Sequence, residues 1–163
     1  MSSNTQTRTI QLEVRCPLDL EVLAVIRTFI TSLGQQMGFD ETQIGEIEMA
    51  VDEACANVIR HAYKHLGFSP DTTPGATPPE DCQLLLRLAM GSGMLRIQVI
   101  DNGIGNHRTQ PGADNVEQYL ERGARGGLGN VIIKNFMDEV QYDYPSESGT
   151  VLTMVKYLRE PLT

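Results

Sequence analysis

Tryptophan is absent from the 163 residues, cysteine occurs three times, and Lys and Arg are outnumbered 13 to 21 by Asp and Glu. Each shortage excludes something. Cys16, Cys55 and Cys82 are odd in number and show no Cys-x-x-Cys spacing, which argues against a disulfide framework or a zinc site. They read as small core or surface residues, and no neighbouring pattern makes Cys55 a catalytic thiol. A formal net charge of −8 argues against a nucleic-acid binder, which needs a basic face to neutralise phosphates. No apolar run approaches membrane-spanning length, so no membrane partner is expected. Residues 1–9 are polar and lack a signal-peptide core, and the expected compartment is the cytoplasm. The Walker pattern Gly-x4-Gly-Lys-Ser/Thr is missing as well.

What remains is ordinary enough to fold. Hydrophobic content of 40% and charged content of 21% suit a single globular domain over residues 1–163, with a core of about 9–158. Ile10, Leu12 and Val14 alternate with polar residues as in a strand. Leu20, Leu23, Ile26, Phe29 or Ile30 and Leu33 repeat as in a helix, with Gly34 and Gly38 marking its end. Asp40 with Gln43 resembles a capping box for a second helix reaching about Tyr63. Ile44, Ile47, Val51, Ala54 and Val58 form its buried side. Residues 67–80, dense in proline and glycine, read as a mobile loop.

Strands are expected near 82–89 and 94–100, joined by the hairpin signal Gly91-Ser92-Gly93. Residues 102–125 form a long polar segment, and a segment of that length is usually functional or disordered. A third helix starts near Leu128, and two strands near 139–144 and 150–158 flank a turn. The order βααββ, long segment, αββ implies an α+β two-layer sandwich: a mixed, largely antiparallel sheet with helices on one face.

Three segments carry chemistry. The first is Asp52-Glu53-Ala54-Cys55-Ala56-Asn57. Glu53 and Asn57 are four apart and share a helical face with Glu46 and Ala50. Alone, they would be a solvated stripe. Facing glycine-rich segments, the carboxylate can accept a hydroxyl proton and the amide oxygen is a hard ligand suited to Mg²⁺. The second is Asp101-Asn102-Gly103-Ile104-Gly105 at a strand end, either a plain turn or a carboxylate that accepts a hydrogen bond from the adenine amine. The third is Gly126-Gly127-Leu128-Gly129, a hinge or a phosphate seat at a helix N-terminus. No βαβ unit surrounds it, so a dinucleotide fold is a poor reading. His61 and His65 have a zinc-compatible spacing but no third ligand. The methionines read as core filling.

These segments resemble the N-box, G1-box and G2-box of the GHKL ATPases. The nearer likeness is to bacterial anti-sigma factor serine/threonine kinases of the RsbW type. It runs through residues 52–63, 101–105, Arg125 to Gly129, 135–140 and Gly149-Thr150, spanning roughly 9–158. The resemblance implies a Bergerat-type ATP-binding fold with ATP and Mg²⁺ as cofactors. Glu53 would be the general base and Asn57 the magnesium ligand. Asp101 would contact adenine, supported by Thr150, with Gly103 and Gly105 lining the base pocket. Gly126, Gly127, Leu128 and Gly129 would meet the phosphates, and residues 106–125 would be the ATP lid. Arg108, Arg122 and Arg125 would be solvated or reach phosphates or a protein substrate. The insertion at 67–80 is longer than the family leads one to expect.

The implied activity is an ATP-dependent protein kinase that binds a sigma factor and phosphorylates a small STAS-domain antagonist on Ser or Thr. The rivals are a nucleotide-gated binding module without kinase activity, a partner-switching kinase whose target is not a sigma factor, and a detached histidine-kinase ATPase domain. Oligomeric state is left open, a homodimer included.

Overall fold

The computed structural model describes residues 9–73, 75–104, 128–145 and 148–159. Their elements run β1 (Ile10–Cys16), α1 (Val22–Met37), α2 (Glu41–Asn57), β2 (Leu84–Gly91), β3 (Met94–Asp101), α3 (Leu128–Phe136), β4 (Glu139–Asp143) and β5 (Thr150–Tyr157). The order matches the expected one. The five strands form one sheet, β1-β2-β3-β5-β4, in which every pairing is antiparallel. The β2–β3 turn has Ser92 at φ 52° and Gly93 at φ 70°. Two positive φ angles in a two-residue loop match the right-handed twist of the flanking strands.

Alternation decides which face is buried. Leu86 and Leu88 of β2, Leu95 and Ile97 of β3, and Leu152 and Met154 of β5 enter one core with Ile30 of α1, Ile47 and Val51 of α2 and Ile133 of α3. The opposite face carries Arg87 and Arg96, with Arg87 paired to Glu13 at 2.7 Å. Among the described residues, helices therefore cover one face only.

The helix ends follow local chemistry. Gly38, at φ 88°, closes α1 in the left-handed conformation. Gly34, expected as part of that stop, lies inside α1. A Cβ there would come within 2.9 Å of Ile44 Cγ1, so this glycine lets α1 and α2 approach closely. Asp40 caps α2 by accepting from the Gln43 N–H at 2.8 Å. The buried Gln43 side chain does not reach back, as a full capping box requires; it donates to the Tyr157 carbonyl at 2.8 Å.

The second helix does not run unbroken to Tyr63. Its α-helical part ends at Asn57, and Val58–Ala62 forms a π-helical turn before a short 3-10 turn, Lys64–Leu66. His61 and His65 therefore do not share a regular helical face. No cluster of three His, Cys, Asp or Glu side chains suited to a metal occurs among the described residues.

The 67–80 insertion is anchored where a mobile loop was expected. Phe68 is buried in the core, Ala76 packs against it, and Asp71 pairs with Arg60 at 3.3 Å. No helix among the described residues is long and apolar enough to cross a membrane.

Candidate functional site

The sheet register builds the first half of the site. Asp101, the last residue of β3, lies opposite Leu84 on one side and Thr150 on the other. Asp101 is 4% exposed. Its Oδ1 accepts from the Gly103 N–H at 2.9 Å, and the Thr150 side chain hydrogen-bonds the same carboxyl. Burial raises its pKa to about 6, while these two hydrogen bonds act in the opposite direction.

The turn after Asp101 is held tightly. A Cβ at Gly103 would overlap the Ala62 carbonyl oxygen, so only glycine lets the turn lie against the end of the π-helical segment. The Gly103 carbonyl accepts from the Gly149 N–H at 2.7 Å.

Around Asp101, a cavity is lined by Ala54, Asn57 and Val58 from the helical layer, Val99, Tyr142 and Leu152 from the sheet, and Thr150. Its walls are mostly apolar and its floor carries one carboxylate. The cavity holds only about 20 Å³ as it stands, and its carboxylate can accept a hydrogen bond from an amine. A groove between β1 and α1 is larger, about 610 Å³, and includes Ile10, Leu12, Phe29 and Met37. It is lined by no charged side chain, and we place the chemistry at the smaller cavity because the motif residues Asn57, Asp101 and Thr150 meet there.

The second half comes from α2 and α3. Glu53 and Asn57, one turn apart on α2, both face Gly129 in the first turn of α3. A helix start offers unpaired N–H groups and the positive end of its dipole, a seat for phosphate. Asn57 also lines the base cavity, so one residue borders both halves. Leu128, beside Gly129, is exposed. Glu46 does not continue the polar stripe into the site: it pairs with Lys156 at 2.6 Å.

Asn57, Asp101 and Thr150 thus line one cavity, Gly103 is hydrogen-bonded to Asp101, and Gly129 lies against Glu53 and Asn57. Gly105, Gly126, Gly127, the segment 106–125 and its arginines lie outside the described residues. Cys55 is fully buried, and burial pushes its thiol far up, which removes it as a nucleophile.

Two further residues, Tyr142 and Tyr63, have no sequence signal of their own. Tyr142 lines the cavity and donates from its hydroxyl to Asn130 Oδ1 at 2.9 Å, tying β4 to α3. Tyr63 holds the Asp101 turn from behind. Of these, only Tyr63 falls within a quoted motif, and the motif assigns it no task.

Comparison with known proteins points to one family. The model of the histidine kinase-like ATPase domain matches residues 16–156. A serine-protein kinase RsbW from Bacillus cereus (strain AH820) is 27% identical over 154 residues, covering 91% of this chain and 86% of the relative. The same figures hold for a serine-protein kinase RsbW from Bacillus thuringiensis (strain Al Hakam). Among solved structures, the RsbU and RsbW domains of a Mycobacterium tuberculosis protein superpose with a TM-score of 0.58 at 18% identity, over 93% of this chain. This chain spans 33% of that protein's solved chain, and the likeness there is one of fold. The family match covers most of the sequence, and the chain belongs to the GHKL-like histidine kinase-like ATPase family, with relatives named serine-protein kinase RsbW.

Proposed function

We propose that this protein is an ATP-dependent serine/threonine protein kinase that acts as an anti-sigma factor and phosphorylates a STAS-domain antagonist. The observation that carries it is the convergence of Glu53 and Asn57 on the N-terminal turn of α3, beside a buried Asp101 in an apolar cavity. The curated relatives named serine-protein kinase support the same reading. The whole chain would act as one domain, with residues 106–125 as its ATP lid.

The residues present fit ATP and Mg²⁺. Asp101 would accept from the adenine amine, with Thr150 holding its carboxyl and Gly103 and Gly105 letting backbone lie against the base. Gly126, Gly127, Leu128 and Gly129 would bring N–H groups to the phosphates. Asn57 would hold Mg²⁺ through its amide oxygen, and the ion, when bound, neutralises phosphate charge. Glu53 would accept the proton of the substrate hydroxyl as that oxygen bonds to the γ-phosphorus and ADP departs. Positioning and electrostatics do most of the work in such a transfer. Phosphorylation adds about −1.5 to −2 charges to the antagonist. Against a kinase of net charge −8, that repulsion favours release.

The decisive experiment incubates the protein with radiolabelled ATP, Mg²⁺ and a STAS-domain protein. Acid-stable label on Ser or Thr is the expected result, and acid-labile label would mean histidine chemistry. Tight ATP binding without transfer would favour a nucleotide-gated binding module.

A further inference from the structure

We propose that Tyr63 is the positioning residue of the base site: its hydroxyl sets the peptide plane after Asp101 and so aims the Asp101 carboxylate. The proposal rests on reading that cavity as an adenine site.

The hydroxyl is used to capacity. It accepts from the Gln83 N–H at 3.0 Å and the Asn102 N–H at 3.1 Å. It also lies 2.6 Å from both the Gln83 carbonyl and Asn102 Oδ1, one of which takes its proton. Two lone pairs and one proton are all a phenol has to offer. Tyr63 is 1% exposed, so no water can substitute freely for these partners.

The Asn102 N–H belongs to the peptide unit that joins Asp101 to Asn102. Fixing that unit fixes the backbone rotation that follows the Asp101 Cα. The Asn102 side chain is engaged too, donating to the Asp81 carbonyl at 2.6 Å. On the far side, Gly103 is pressed against the Ala62 carbonyl. The turn is therefore gripped by two consecutive residues, Ala62 and Tyr63.

Those two residues sit where they do because of the π-helical turn. Asn57 ends the α-helical part, and Tyr63 directly follows Val58–Ala62. A π turn adds one residue per turn and rotates everything after it by roughly 100° relative to a plain α-helix. The distortion points Tyr63 at the sheet end. One continuous segment then carries Asn57, at the phosphate side of the cleft, and Tyr63, behind the base side.

A core tyrosine without this role would affect stability but not base choice. Adenine presents an amine to Asp101, and guanine presents a carbonyl oxygen, which a carboxylate repels. Misaiming Asp101 should weaken ATP and spare GTP. The test measures ATP and GTP binding by calorimetry, with Mg²⁺, for wild type, Tyr63→Phe, Asn102→Ala and the double variant, at a temperature where circular dichroism shows each folded. Tyr63→Phe is expected to bind ATP about tenfold more weakly, as for loss of a buried hydrogen-bond network, with GTP within twofold of wild type. Asn102→Ala removes Oδ1 but keeps the backbone N–H, and should shift discrimination in the same direction. The double variant should lose less than the product of the two single effects. If Tyr63→Phe does not fold, Asn102→Ala decides alone. ATP-over-GTP discrimination within twofold of wild type, in the folded variants, overturns the proposal. A wild type that fails to bind ATP overturns the base-site reading itself and this inference with it.

Discussion

Glu53 and Gly129 meet where α2 passes the start of α3: a Cβ at residue 129 would lie 2.5 Å from Glu53 Oε2 and 3.3 Å from Asn57 Nδ2. Gly129→Ala therefore has two opposed effects. It gains about 1 kcal/mol of helix propensity, and it displaces the Glu53 carboxylate. The expected variant melts within a few degrees of wild type and transfers phosphate at least about tenfold more slowly, the cost of misplacing a catalytic group. Thermal melts and the radiolabel assay separate the two effects. Unchanged transfer would mean that the Glu53 position is not critical.

Glu53→Gln keeps shape and hydrogen bonding but removes the proposed proton acceptor. ATP should still bind, while transfer falls by about 10²–10⁴-fold. The proposed sequestration of a sigma factor should survive, because binding requires no proton transfer. Asn57→Ala should instead weaken Mg²⁺-dependent ATP binding and transfer together. Full transfer by Glu53→Gln would remove Glu53 from the role of base.

Asp101 makes stability depend on pH. Its native pKa of about 6 lies above the value of about 3.9 for an unfolded chain. Between those values the native state holds more protons, so this group's contribution falls as pH rises from about 4 to about 6 and stays unfavourable above it. Asp101→Asn should raise the urea midpoint of the nucleotide-free protein at pH 7, and the difference should shrink at pH 4.5. The same variant should lose ATP-over-GTP selectivity. In wild type, ATP affinity should weaken as Asp101 protonates below about pH 6. A midpoint lowered at both pH values would show that the carboxylate's hydrogen bonds outweigh its burial.

Lys156 is an almost fully buried cation. Its Nζ is 2.6 Å from Glu46 Oε2 and 3.7 Å from Asp138 Oδ1, and it donates to the Phe136 carbonyl at 2.5 Å, at the end of α3. Lys156→Met should cost about 3 kcal/mol, the low end for breaking a buried pair. Arg159 still reaches Glu46 at 3.2 Å, which limits the loss. Urea denaturation measures it. A cost below about 1 kcal/mol would show that the pair merely offsets its own desolvation.

The amino-acid sequence by itself determined the order of the elements, the Asp40 cap, the Gly38 stop, the β2–β3 hairpin and the placement of Asp101 and Gly129 at element ends. Capping, alternation and turn conformation act between residues a few positions apart, so they can be read without the fold. The tertiary structure decided the rest. The turn that follows Asp101 is held by hydrogen bonds linking Tyr63, Gln83 and Asn102, separated by 19 to 39 positions. Gly34 reads as a helix stop until Ile44 is packed against it. The π-helical turn has no local signature, and its consequence, the close approach of Gly103 to Ala62, joins residues far apart in the chain. The facing of Asp101 and Thr150 depends on strand register, and register is set only when β3 and β5 bury their apolar faces against the same helices.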